Sequence, residues 1–199
     1  MNPVVDKGYV KLMAATFTHN NLRNLNANFF KDPKYGLHNQ LLDIPTVSIE
    51  VKSPIFVQLT FGNQGLQTVI KNTASEPEVF TPCLTDIKAE SLEASKAILA
   101  DLKNTSGALL MNPKAYQYEK CDPFISQVNT PIAVYNTYMV SGTLRQWIRY
   151  ITQVQYPAPI GVYRDAILEI IKAEYLELVP LINGLINYGT QKQKEKAKT

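Results

Sequence analysis

The hydrophobic pattern changes period along the chain. Tyr9-Val10-Lys11-Leu12-Met13 alternates and predicts a strand near the start. Thr18-His19-Asn20-Asn21-Leu22-Arg23-Asn24-Leu25 reads as the capped start of a short helix or turn, and Lys31-Asp32-Pro33-Lys34-Tyr35-Gly36 as turn chemistry. Thr46-Val47-Ser48-Ile49-Glu50-Val51-Lys52 alternates again, which predicts a strand with one buried face. Ile55 to Phe61 is almost continuously apolar, and its periodicity leaves strand and helix both open.

Longer periods follow. From Thr85 to Lys103 the apolar residues Leu92, Ile98, Leu99 and Leu102 recur at helical spacing, with acids early and lysines late. Asn104-Thr105-Ser106-Gly107 is a stop signal, and Met111 to Val128 reads as irregular. Two more helices are predicted, over Val134–Thr152 and Gly161–Ile186; the second follows Tyr156-Pro157-Ala158-Pro159. Its stripe of Ala166, Ile167, Ile170, Ile171, Tyr175, Leu178 and Ile182 is interrupted by Pro180. Residues 189–199 read as a disordered basic tail.

These elements predict an α/β (α+β) fold, a small twisted sheet packed with long helices in one domain over residues 1–188. A chain of 199 residues fits that, since a domain of such size buries roughly 70% of its unfolded surface. Composition adds little more: 45% hydrophobic, 19% charged, and a net charge of +3 that does not imply nucleic acid. No apolar run approaches the ~20 residues of a membrane span. The N-terminal residues lack the basic and apolar regions of a signal peptide, so a cytoplasmic setting is expected. Cys83 and Cys121 fit that setting as structural thiols, with no second Cys/His cluster at metal spacing.

Three blocks carry a resemblance: Asp6 to Phe30, opening on Asp6-Lys7-Gly8-Tyr9-Val10; His38 to Phe61, with Val51-Lys52-Ser53-Pro54-Ile55-Phe56-Val57; and Tyr135 to Leu178. The third contains Gly142-Thr143-Leu144-Arg145-Gln146-Trp147-Ile148 and Tyr163-Arg164-Asp165-Ala166. In order and spacing they resemble the flavin-dependent thymidylate synthase family. The resemblance implies a thymidylate synthase complementing protein-like fold and a homotetramer holding FAD and dUMP between subunits. In that family a folate supplies the carbon, and hydride from the reduced flavin completes the methylation of dUMP to dTMP.

The same resemblance exposes a loss. The family signature R-H-R-x-x-S-x-N-E-x-S-x-R-Y falls on Asn63 to Glu76. Arg, His and Arg are replaced by Asn63, Gln64 and Gly65, and the Asn-Glu pair by Ile70-Lys71. Thr68 and Thr73 keep the two hydroxyls, while the final Arg-Tyr becomes Ser75-Glu76. A nucleotide-gripping Arg in the third block is replaced by Val154. The pyrophosphate of a flavin dinucleotide and the phosphate of dUMP both call for guanidinium forks. His38 stands where a family flavin-site histidine would. The resemblance therefore implies His38, Asn63, Gln64, Thr68 and Thr73 as remnants of a cofactor site, no catalytic residue, and a FAD site that has been lost. The expected role is a structural or regulatory subunit in a homo-oligomer.

Other constellations suggest alternatives. A flavin or nucleotide enzyme with a rebuilt site would use Asn63, Gln64, Thr68 and Thr73 as neutral hydrogen-bonding groups. Arg145 and Arg149 share a helix face and could regain a phosphate grip, or form a solvated or partner-facing pair. Tyr116 and Tyr118 alternate with Lys114 and Lys120, a pattern of base stacking or of a packing loop. A nucleic-acid-binding module would use Lys192, Lys194, Lys196 and Lys198. His19 and His38 are the only histidines, which leaves few candidates for acid–base catalysis by that residue.

Overall fold

A computed structural model describes residues 2–3, 7–16, 40–72, 78–80, 91–101, 104, 133–152 and 158–196. The strands are β1 (Asn2–Pro3), β2 (Tyr9–Ala15), β3 (Thr46–Pro54), β4 (Gln67–Asn72) and β5 (Tyr135–Thr143). The helices are α1 (Ile55–Gly62), α2 (92–101), α3 (Leu144–Ile151), α4 (Ala158–Glu174) and α5 (Val179–Lys196). Every strand pairing is antiparallel, in the order β1-β2-β3-β5-β4. The fold is thus mixed α/β, as the patterning predicts in outline. Among the described residues no helix is long and apolar enough to cross a membrane.

The two faces of the sheet differ because the strand period is two. On β3, Val47, Ile49 and Val51 are fully buried, whereas Ser48, Glu50 and Lys52 share the opposite face. The buried face joins Tyr138 and Val140 of β5 to Val57 and Phe61 of α1, Trp147 and Tyr150 of α3, and Ile167 of α4. Phe61 stacks on Tyr150 with ring centroids 4.7 Å apart and meets Trp147 edge-on. Burying side chains of this size contributes about 1.5–3 kcal/mol each. Trp147 also donates its Nε1–H to the Val47 carbonyl at 3.0 Å, so the largest core residue leaves no polar atom unmatched.

Several expectations change. The helix predicted over Val134–Thr152 is instead strand β5 followed by helix α3. Tyr138 and Val140 point inward and β5 is paired on both sides, so tertiary pairing overrides the helical spacing. Pro54 ends β3, and Ile55 to Gly62 turn at once into α1, which closes the choice left open above. The strand of the family-like run therefore stops before Ile55.

The predicted Gly161–Ile186 helix is two helices. α4 begins earlier, at Ala158, and the break falls at Tyr175 before the 3₁₀ turn Leu176–Leu178. Pro180 does not interrupt a helix; it lies in the first turn of α5, where its missing N–H costs nothing. The backbone of α5 continues through Lys196, so the tail expected to be disordered is helical over most of its length. Its Gln, Lys and Glu residues extend an existing helix readily once the nucleus is formed.

Of the apolar stripe expected in α2, Leu92 and Ile98 are exposed and Leu99 is half-buried, while Ser95 is buried; Leu102 lies outside the described residues. Residues 18–25, 31–36, 85–90, 102–103 and 111–128 lie outside the described residues, as do both histidines and both cysteines.

Candidate functional site

The segment between α1 and β4 is a closed turn. α1 ends at Gly62, and Asn63 follows with helical dihedrals (φ −63°, ψ −19°). Gln64 N–H donates to the Phe61 carbonyl at 3.1 Å, Gly65 N–H to Gly62 at 3.0 Å and Leu66 N–H to Phe61 at 3.3 Å. Gly65 has φ +73°, the left-handed conformation that ends many helices and that a side chain resists. Leu66 then drops into the core, and β4 begins.

Helix α3 clamps this turn. Thr143 caps α3: its Oγ1 accepts from Gln146 N–H at 3.4 Å while Gln146 Oε1 accepts from Thr143 N–H at 2.8 Å. That reciprocal capping box orients the Gln146 amide, whose Nε2 donates to the Gly65 carbonyl at 2.9 Å. Gly142 supplies the room. A Cβ there would stand 2.4 Å from Leu66 Cδ2 and 2.8 Å from Gln146 Oε1. The Gly142-to-Ile148 run thus has structural work at nearly every position: clearance at Gly142, a cap at Thr143, a clamp at Gln146, and core packing at Leu144, Trp147 and Ile148.

Of the sequence-derived site residues, Asn63, Gln64 and Thr68 lie in or just after this turn. Asn63 is exposed and Gln64 half-buried within it; Thr68 is exposed on β4, opposite Val140. His38 and Thr73 lie outside the described residues. Arg145, on the first turn of α3, donates Nε–H to Asp43 Oδ1 at 2.7 Å. That hydrogen bond holds the Asp43 carboxyl below its ordinary range. Arg149 is exposed one turn further along.

A second polar cluster occupies the sheet face opposite the core. Tyr9 Oη–H donates to Glu50 Oε1 at 3.0 Å, and Lys71 pairs with Glu50 Oε2. Glu50 is only 6% exposed, beneath a Lys71 side chain that is 55% exposed, so its cover is thin. The Lys71 hydrogen bond holds the Glu50 carboxyl below its usual range against the opposing effect of burial. Burial, and then Glu50, push the Tyr9 phenol up; Glu50 likewise raises Lys71. Nearby, Lys52 Nζ is 2.5 Å from Glu78 Oε2. Both Glu50 oxygens are engaged, which makes the cluster an ion-paired staple across strands and not a poised acid or base. Sequence reasoning missed it; its one visible signal was a Glu on the polar side of a clean strand alternation.

Among the described residues no group of three or more His, Cys, Asp or Glu could hold a metal ion. The sequence matches no protein-family model, and no curated protein matches it significantly.

Proposed function

We propose that the chain is a diverged homologue of the flavin-dependent thymidylate synthases that has lost catalysis and serves as a structural or regulatory subunit of a homo-oligomer. One observation carries this reading: the turn Asn63–Gly65 is neutral, closed on its own backbone and clamped by Gln146. Phosphate and pyrophosphate need cations with free donors. Lys71 stands in the signature segment but pairs with Glu50, and Arg145 pairs with Asp43. Asn63, Gln64 and Thr68 offer uncharged groups only, which do not fit the charge of a flavin dinucleotide.

The test is direct. Purified protein is incubated with flavin dinucleotide, passed through gel filtration and scanned for the visible bands of oxidised flavin. It is then assayed for dUMP-dependent NADPH oxidation. The expected result is a colourless protein without turnover. Flavin that co-elutes, together with dUMP-dependent oxidation, overturns the reading. Light scattering on the same sample examines the homo-oligomer, and a monomeric mass removes that part.

A further inference from the structure

We draw no further inference here: the strongest candidate, the edge strand β4 with Val69 66% and Ile70 45% exposed on its two faces, carries nothing because nothing in the structure shows what covers it.

Discussion

Lys71 on the edge strand β4 reaches across β5 to the carboxylate of Glu50 on β3. Glu50 and Val69 both register against Met139, so the ion pair passes over the strand between them. Two strand spacings amount to about 9–10 Å, a gap that the long lysine and the glutamate close together. Tyr9 extends the link to β2.

Replacing Glu50 by Gln keeps the shape and removes the charge. At neutral pH the variant should lose about 1–2 kcal/mol, because a charge-assisted hydrogen bond becomes a neutral one under thin cover. The Glu50 carboxyl is depressed in the folded state. Its stabilisation is therefore fully present above the ordinary carboxylate pKa and is lost as pH falls through the depressed folded value. Urea midpoints of wild type and Glu50→Gln should converge as the pH is lowered through the carboxylate range. A gap that stays constant with pH would show that the charge contributes nothing.

Gly62 and Gly65, three residues apart, should respond oppositely to alanine. A Cβ at Gly62 meets nothing within 4 Å, and its helical position favours Ala. Gly65 has φ +73°, and a Cβ there also meets Gln146 Nε2 at 3.0 Å. Gly62→Ala should be neutral or stabilising by up to about 1 kcal/mol, and Gly65→Ala destabilising by about 1–2 kcal/mol. Denaturant midpoints decide; equal shifts in both variants would contradict the left-handed turn.

How far these features were legible depends on what fixed them. β2 and β3 could be read because each has one buried face, and the alternation of Val47, Ile49 and Val51 against Ser48, Glu50 and Lys52 is local. β4 could not: Gln67 to Lys71 are all exposed, so no alternation marks it as a strand. β5 looked helical because its apolar residues run on into α3; only Gly142 and the Thr143 cap mark the change. Asn63, Gln64 and Thr68 were placed near one another by resemblance, and short chain separation keeps them so. The Glu50–Lys71 pair depends on the order β3-β5-β4, with β5 arriving much later in the chain, and no local pattern encodes it.

The core hydrogen bond of Trp147 offers a cleaner test of packing. Trp147→Phe removes the Nε1–H that meets the Val47 carbonyl and shrinks a fully buried side chain. Lost volume and a lost hydrogen bond should together cost about 2–4 kcal/mol. A calorimetric Tm within a degree of wild type would contradict the burial described for α3.

Gln146 connects the α3 cap to the Asn63–Gly65 turn, and its two ends can be separated by substitution. Gln146→Glu keeps an oxygen for Thr143 N–H and loses the donor to the Gly65 carbonyl; Gln146→Ala loses both. The alanine variant should be less stable than wild type by about 1–2 kcal/mol, and the glutamate variant by less, since the capping box survives in it. Amide exchange separates the two effects. Protection at Gln64, Gly65 and Leu66, whose N–H groups close the turn, should fall in both variants, because neither holds the Gly65 carbonyl. Protection at the start of α3 should fall only in the alanine variant. If the turn amides keep wild-type protection in Gln146→Glu, then the turn closes without its clamp and Gln146 serves the helix cap alone.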